Sequence, residues 1–242
     1  MKSALHKSFA RAAGDYRKHA RVQSALADWL VEWLPVERTG RALEVGAGPG
    51  VFTQRLLPWN GGLTATDLSP DMCAAGRSAL PQVNWQTMSA EAPLAGPWQW
   101  IFCSSMLQWA GSPGEVFAAW RDQLAPGGRV LAGLFVSGSL PELQALAGGS
   151  APLTWRAPEE WRGALVRGGL RVLRDEAETR VFEYPSARDF LHTLHGVGAT
   201  PERRFASGGL RRLLREYEER FDAGSGVRAT WTFYRFEAER ME

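Results

Sequence analysis

The chain has 242 residues, 45% of them hydrophobic and 22% charged, which is typical of one globular domain and excludes a disordered or fibrous protein. Its 28 basic and 26 acidic residues give a formal net charge of only +2 at pH 7. This near balance excludes the strong positive field that captures nucleic acid or an anionic membrane, so we expect neither as a partner.

The first forty residues predict one or two helices, because apolar side chains from Phe9 to Ala20 recur at helical spacing. Basic residues such as Lys2 interrupt the apolar run that a secretory signal needs. The two cysteines, Cys73 and Cys103, match neither a disulfide framework nor a zinc-binding spacing. We therefore expect a cytoplasmic protein without a metal.

From residue 41 the chain alternates between short apolar runs and helical patterns. Strands are predicted at 41–46, 63–67, 82–87, 98–104 and 129–136, and helices at 51–57, from Pro70 onward and at 113–124. This alternation predicts an α/β fold, in which a doubly wound, mostly parallel sheet carries helices on both faces and binds ligands at the carboxyl ends of its strands.

Beyond residue 140 the pattern loosens. Helices are predicted at 139–147, 158–168, 186–196 and 207–221, and strands at 170–182 and 227–236. We predict two parts, an N-terminal helical lid at 1–40 and a main domain at 41–242. The main domain carries a helical insertion at about 184–224 that we assign to the substrate.

A glycine-rich turn follows the first predicted strand, in the run Glu44-Val45-Gly46-Ala47-Gly48-Pro49-Gly50. Glycines let the backbone turn tightly and let a ligand approach without meeting a Cβ. A nicotinamide-binding turn requires a further glycine at position 51, where this chain has valine. An acidic side chain at position 44 is also poorly placed for a pyrophosphate and suits a cationic ligand, so we exclude a nicotinamide oxidoreductase.

A second acid, Asp67, ends the next predicted strand. A carboxylate there can accept hydrogen bonds from both hydroxyls of a ribose, each contributing roughly 1.5 to 3 kcal/mol. Together with Glu44 and the glycines, it predicts a site for a nucleoside that lacks phosphates and carries a positive amino-acid tail. S-adenosylmethionine is such a ligand.

This constellation resembles the class I S-adenosylmethionine-dependent methyltransferases over most of residues 40–136. The resemblance implies a seven-stranded Rossmann-like sheet, no catalytic side chain beyond positioning groups, and no metal. It implies that the ligand's methionine portion lies on Gly46, Gly48 and Gly50 and its adenine near Ser89, Ala90 and Glu91, where the family usually has Asp-Ala-Glu. The implied cofactor-binding residues are Tyr16, Glu44, Gly46, Gly48, Gly50, Asp67, Leu68, Ser89, Ala90, Glu91 and Cys103.

Four further segments, at 8–16, 104–109, 135–143 and 190–199, resemble one subgroup, the malonyl-acyl carrier protein O-methyltransferases of biotin synthesis. The subgroup implies methyl transfer to the free carboxylate of a malonyl thioester, carried on acyl carrier protein or coenzyme A. The implied substrate-binding residues are Tyr16, Gln108, Trp109, His192 and His195. The chain departs from the subgroup at the two histidines, where Arg and Lys are usual, at Ser104, where Asn is usual, and at Gln99, where Asp is frequent.

Several alternatives stay open at this stage. The same core would serve a methyltransferase for another small molecule or a quinone, or a cofactor-binding scaffold without activity. The two histidines could form a metal pair, although no third ligand is spaced nearby. An arginine cluster, comprising Arg203, Arg204, Arg211, Arg212 and Arg215, predicts either a docking surface for an acidic carrier protein or an ordinary salt-bridged helix.

Overall fold

A computed structural model describes residues 9–146, 155–199 and 208–241, and the predicted cluster residues Arg203 and Arg204 lie outside this part of the chain. One sheet of seven strands runs through the described residues in the order β3-β2-β1-β4-β5-β7-β6. The strands are β1 Ala42–Val45, β2 Leu63–Asp67, β3 Asn84–Thr87, β4 Trp98–Ser104, β5 Leu124–Phe135, β6 Leu170–Tyr184 and β7 Val227–Arg240.

Helices flank this sheet, and two short 3₁₀ turns lie at its edge. The helices are α1 Tyr16–His19, α2 Arg21–Val31, α3 Pro70–Ala79, α4 Pro113–Gln123, α5 Pro141–Leu146, α6 Pro158–Arg167, α7 Ala187–Gly196 and α8 Gly209–Arg220, and the 3₁₀ turns cover Thr53–Leu56 and Leu107–Trp109. Ser69 caps α3 as predicted, accepting a hydrogen bond from the Met72 N–H, with Pro70 in the first turn. None of the helices in the described ranges combines the length and the apolar character that a membrane crossing requires.

The pairing confirms the predicted fold class. Strands β1 to β5 pair in parallel, and β7 pairs antiparallel with both β5 and β6. Strands β6 and β7 extend further than predicted because they pair with each other along their whole length, from Leu170 opposite Arg240 to Tyr184 opposite Val227.

Two predicted boundaries are wrong for local reasons. The strand predicted at 129–136 begins earlier, at Leu124, which pairs with Trp98 before the register shifts, and the positive φ of Gly127 accommodates the irregularity. The helix predicted at 51–57 is reduced to the 3₁₀ turn Thr53–Leu56, since Pro58 lacks the N–H that would extend it.

Helix α2 belongs to the main core. Leu26 and Leu30 are fully buried, and a Cβ added at Gly133 of β5 would lie 3.1 Å from Leu26 Cδ1, so glycine permits the close approach of helix and strand. Helix α2 therefore contributes to the core of the sheet. The N-terminal lid at 1–40 and the helical insertion at about 184–224 stay predictions.

A buried arginine of β7, the strand next to one edge of the sheet, contacts the end of α2. The Arg235 guanidinium of β7 lies 4.0 Å from the ring centre of Trp29 and 4.3 Å from that of Trp33. It also forms ion pairs with Glu32 at 3.0 Å and Glu176 at 2.7 Å. Glu32 and Glu176 are about half exposed, so solvent screens these ion pairs, and the ring contacts of the buried guanidinium add to the contact between α2 and β7.

Candidate active site

A cavity lined by described residues lies at the carboxyl ends of β1, β2 and β4, where the α/β fold predicts a ligand. We call it the cofactor cavity. Its lining combines the glycine turn after β1, the acid at the end of β2, the segment after β3 and the end of β4. The residues used below are Tyr16, Gln23, Glu44, Gly46, Gly48, Asp67, Leu68, Met72, Met88, Ser89, Ala90, Glu91, Ser105, Trp109 and Val116.

Two glycines of the turn lie in different surroundings, one packed against a side chain and one open to the cavity. Gly46 has a φ of +71°, and a Cβ added there would lie 2.4 Å from Met106 Cγ, so packing excludes any side chain. Gly48 has a φ of +55°, and a Cβ added there would meet no atom within 4 Å, because its side opens to the cavity. A ligand can therefore approach the backbone at Gly48 as predicted.

Asp67 is fixed by its neighbours. Its Oδ2 accepts a hydrogen bond from the Gly48 N–H at 2.9 Å, and its Oδ1 accepts one from the Ser69 N–H at 2.8 Å. Each carboxylate oxygen has a second lone pair, so the pair of donors orients the group while leaving it able to accept from ligand hydroxyls. This geometry fits a ribose.

Glu44 places a carboxyl group inside the protein, where it is 1% exposed. Burial raises its pKa to about 8, the nearby Thr53 hydroxyl offsets part of that rise, and the charge of Asp67 adds to it. Its Oε2 has no hydrogen-bond partner among the described residues. A buried carboxyl with an unsatisfied oxygen at the cavity wall fits a cationic ligand group, because such a group satisfies the oxygen and favours its charged form.

The segment after β3 supplies the adenine side predicted for Ser89, Ala90 and Glu91, all of which line the cavity. Ser89 Oγ accepts a hydrogen bond from the Glu91 N–H at 3.2 Å, and the Trp120 indole donates to the Ala90 carbonyl at 2.9 Å. The apolar wall on this side comes from Leu68, Met72, Met88 and Val116. This apolar wall suits a heterocyclic base.

Two predicted cofactor residues lie elsewhere. Gly50 faces away from the cavity, and a Cβ added there would lie 3.0 Å from Leu80 Cδ1 and 3.3 Å from the Trp85 ring. Cys103 is fully buried in the core and does not line the cavity. Side chains alternate along β4, and the neighbouring Ser104 lines the cavity instead. Burial also raises the pKa of the Cys103 thiol, so it stays neutral.

A second, smaller cavity adjoins the first, and we call it the aromatic cavity. It shares Phe9, Tyr16, Gln23, Ser105 and Trp109 with the cofactor cavity. Its remaining lining residues are Gln108, Phe135, Trp155, Val197, Ala199 and Trp231. The predicted residues Tyr16, Gln108 and Trp109 therefore meet here, beside the cofactor cavity.

The walls of the aromatic cavity pack against each other. The Phe135 and Trp231 ring centres are 4.8 Å apart, those of Trp155 and Trp231 are 6.2 Å apart, and Phe9 meets Trp109 edge to face at 5.6 Å. Such aromatic pairs are rigid and exclude water. Sequence reasoning missed Gln23, Ser105, Phe135, Trp155 and Trp231 as site residues; the one available signal was Gln23, a polar residue on the apolar face of α2.

The two histidines predicted to bind substrate do not reach either cavity. His192 and His195 lie on the exposed side of α7, and the His192 ring packs edge to face on His19 of α1, with ring centres 4.9 Å apart. Neither lines the cofactor cavity or the aromatic cavity. Within residues 9–146, 155–199 and 208–241, no three side chains of the metal-binding types come together.

The described arginines of α8 take part in ordinary ion pairs. Arg212 lies 3.8 Å from Glu216 and Arg215 lies 3.8 Å from Glu219, one helical turn apart in each case, and all four side chains are partly or largely exposed. Exposed pairs of this kind contribute at most about 1 kcal/mol each. The contacts favour the salt-bridged helix, and docking of a carrier protein stays a prediction.

The charges around the two cavities have one sign. In the part of the chain that the structure describes, the charged side chains lining them are Glu44, Asp67 and Glu91, with no lysine, arginine or histidine. Burial raises the pKa of Tyr16, so its hydroxyl stays neutral. The site therefore favours a cation in the cofactor cavity and offers neutral groups in the aromatic cavity.

Comparison with known proteins places this geometry in a family. Residues 42–128 match a family model described as a methyltransferase domain. The malonyl-[acyl-carrier protein] O-methyltransferase of Geobacter sulfurreducens is 30% identical over 253 residues, covering 94% of this chain and 95% of that protein. The biotin biosynthesis bifunctional protein BioCD of Bordetella avium is 31% identical over 228 residues, covering 88% of this chain and 48% of that protein.

The fold is also found in solved structures. The YcgJ protein of Bacillus subtilis superposes with a TM-score of 0.68 at 13% sequence identity, covering 90% of this chain and 99% of that one. Sequence and fold together confirm the predicted enzyme class and its cofactor, S-adenosylmethionine, which the open glycine turn, Asp67 and the buried carboxyl of Glu44 fit. The chain belongs to the malonyl-[acyl-carrier protein] O-methyltransferase family of S-adenosylmethionine-dependent methyltransferases.

Proposed function

We propose that the chain methylates the free carboxylate of a malonyl thioester carried on acyl carrier protein, in biotin synthesis. Similarity to relatives named for this substrate and this pathway supports the proposal, because it extends along 94% and 88% of the chain and so includes the segments outside the cofactor core. We place the reaction in the cytoplasm, whose reducing conditions suit the two free, buried cysteines.

The observation that carries the proposal is that none of the described residues lining the aromatic cavity is suited to act as a general base at neutral pH. Within the described residues, the only titratable side chain lining this cavity is Tyr16, whose pKa is raised by burial. A hydroxyl or amine acceptor would have to lose a proton, whereas a malonyl carboxylate is already ionised near neutral pH. A carboxylate is thus the acceptor that this lining serves best.

The chain's own residues bind, orient and exclude water. Asp67 and the backbone at Gly48 hold the ribose and the adjoining chain, and Glu44 receives the amino-acid cation. When bound, S-adenosylmethionine supplies an electrophilic methyl group on a positively charged sulfur. Trp109 and Phe9 screen the meeting point of the two cavities, and a dry, aromatic environment favours a reaction in which opposite charges disappear.

A second candidate keeps the reaction type and changes the acceptor to another small carboxylic acid. The small size and apolar walls of the aromatic cavity suit a short acyl group of either kind. Coenzyme A as the thioester carrier is a variant of the first proposal.

The test uses purified protein with methyl-labelled S-adenosylmethionine and one acceptor at a time. The acceptors are malonyl-acyl carrier protein, malonyl-coenzyme A, free malonate and a hydroxyquinone. We expect base-labile label on the malonyl group, fastest with the carrier protein. Label on malonate or the hydroxyquinone alone, or on no acceptor, would contradict the proposal.

A further inference from the structure

The point where the two cavities meet carries buried polar groups that the fold itself does not use. Five residues line both cavities, and two of them, Gln23 and Ser105, bring polar side chains from separate elements, α2 and the segment after β4. Buried polar groups are normally hydrogen-bonded, so those left without a partner indicate a ligand.

Ser105 is held in a strained conformation that directs its hydroxyl here. Its φ of +61° lies in the left-handed region, which serine rarely adopts and glycine adopts freely. Its backbone is fully used, since its N–H donates to the Gly133 carbonyl at 2.9 Å and its carbonyl accepts from Gln108 Nε2 at 2.8 Å. Its Oγ is buried and has no hydrogen-bond partner among the described residues.

Gln23 presents an amide on an otherwise apolar helix face. It is 8% exposed, it lines both cavities, and its neighbours Val22 and Leu26 are buried in the core. The buried Arg235 contact with Trp29 holds α2 against the sheet, so the amide has a fixed position. Because the side chain lines both cavities, its NH₂ group can supply two hydrogen-bond donors at the junction.

The hydrogen-bond donor character of these groups indicates which ligand they suit. A serine hydroxyl and an amide NH₂ donate hydrogen bonds, and no cation lines either cavity in the described residues. Gln108 is excluded from the set, because its Nε2 is used by Ser105 and its remaining Oε1 is an acceptor that would repel an anion. The donors therefore suit a carboxylate held without an ion pair.

We propose that Ser105 Oγ and the Gln23 amide anchor the carboxylate of the substrate at the junction of the two cavities, so that neutral hydrogen bonds rather than a salt bridge recognise it. This inference rests on the proposed function. Neutral donors are an advantage for the reaction, because a close cation would stabilise the ionised substrate more than the transition state, in which its charge disappears. The anchor also explains why the chain keeps serine at a position where glycine would relieve strain.

The test measures binding of malonyl-coenzyme A to protein saturated with S-adenosylhomocysteine, together with KM and kcat for the malonyl thioester. In Ser105→Ala and in Gln23→Leu we expect Kd and KM to rise about tenfold or more, as for loss of a hydrogen bond to a charged group. An unchanged circular dichroism spectrum and a cooperative thermal unfolding transition show that the variants are folded. Unchanged Kd in both variants would overturn the anchor.

Two matched variants sharpen the result. Ser105→Gly also removes the hydroxyl but relieves the left-handed strain, so we expect the same loss of binding with a higher Tm, which separates recognition from stability. Arg156 is a nearby cation outside both linings, and its guanidinium donates to the Ala110 and Gly111 carbonyls. Arg156→Gln should leave malonyl-coenzyme A binding unchanged, and a rise in Kd there but not in Ser105→Ala would show that a cation is the anchor.

The outcomes separate the anchor from the proposed function. If the unmodified chain neither binds malonyl-coenzyme A nor methylates a malonyl thioester, the function and the anchor fail together. If the unmodified chain does both and the Ser105 and Gln23 variants match it, the anchor alone fails.

Discussion

The cofactor cavity and the aromatic cavity adjoin each other but are lined by different kinds of chemical group. In the first, glycine backbone and carboxylates do the binding, and Asp67 is already oriented by two N–H donors. In the second, aromatic rings form much of the wall and the polar groups at its edge are neutral; one of them, Ser105 Oγ, has no hydrogen-bond partner among the described residues. The contrast matches the two ligands of the proposed reaction, a cationic cofactor for the acidic cavity and an anionic acceptor for the neutral one.

The largest effect is expected when the carboxylate of Asp67 in the cofactor cavity is replaced. In Asp67→Asn, one of the two N–H donors at Gly48 and Ser69 faces an NH₂ group, and the ligand loses a charged acceptor. We expect S-adenosylmethionine to bind about a hundredfold more weakly, about 3 kcal/mol by calorimetry. Asp71→Asn, a neighbouring exposed carboxylate in the first turn of α3, is the control and should bind normally.

The next prediction separates folding from binding within the glycine turn. Gly46→Ala puts a methyl group against Met106 at a positive φ and should lower the free energy of unfolding by about 2 to 4 kcal/mol in urea titrations. Gly48→Ala meets open space and should lower it by only about 1 kcal/mol, while its methyl group enters the cavity and weakens S-adenosylmethionine binding. Equal losses of stability in the two variants would contradict the different tasks assigned to them.

The buried carboxyl of Glu44 should make the affinity for S-adenosylmethionine depend on pH. Below pH 8 the buried Glu44 carboxyl is neutral in the free protein, and binding a cation favours its ionised form. The Kd for S-adenosylmethionine should therefore fall roughly tenfold per pH unit as pH rises toward 8 and level off above it. Glu44→Gln should abolish this dependence between pH 6 and 8.5, measured by calorimetry.

The same carboxyl affects stability with the opposite trend. Because its folded pKa lies above its unfolded value, the folded state keeps a proton that the unfolded state loses, so stability falls as pH rises from about 4.5 to 8. Glu44→Gln should flatten this part of the stability curve. A Kd for the unmodified chain that does not change between pH 6 and 8 would contradict the assignment of Glu44 to the cation.

The smallest expected effect concerns the adenine side. Ser89 lines the cofactor cavity where the family usually has an aspartate, so Ser89→Asp adds a charged acceptor for the adenine amino group. We expect S-adenosylmethionine to bind a few-fold more tightly, with no change in binding of malonyl-coenzyme A. Calorimetry on both ligands checks this, and an unchanged cofactor affinity would contradict it.

The cofactor cavity was largely predictable because its signals are local. A strand, a glycine turn and an acid follow one another within about thirty residues of the sequence, and each has one common structural meaning. The errors there concern direction: Cys103 and Ser104 lie in a strand buried on both faces, where an apolar run does not show which residue points to the cavity. Gly50 was misassigned for a similar reason, since its contacts with Leu80 and Trp85 come from outside the turn.

The aromatic cavity was not predictable, because its residues come together only in the fold. Gln23, Ser105, Trp155 and Trp231 lie on four separate segments that span most of the chain. The histidines of α7 were assigned by position in a motif, and only the packing of α7 against α1 shows that His192 faces His19 and solvent. The sequence also does not show that the backbone of Ser105 adopts a left-handed conformation.

The position of β7 has a consequence for synthesis of the chain. Strands β5 and β6 precede β7 in the sequence, yet each pairs with β7 and not with the other. While the ribosome is still making residues 227–240, the edges of β5 and β6 have no partner, and Trp231 is missing from the aromatic cavity. The half of the sheet that contributes Trp231 to the aromatic cavity can therefore close only after translation has passed residue 240, whereas the parallel half that lines the cofactor cavity has all its strands much earlier.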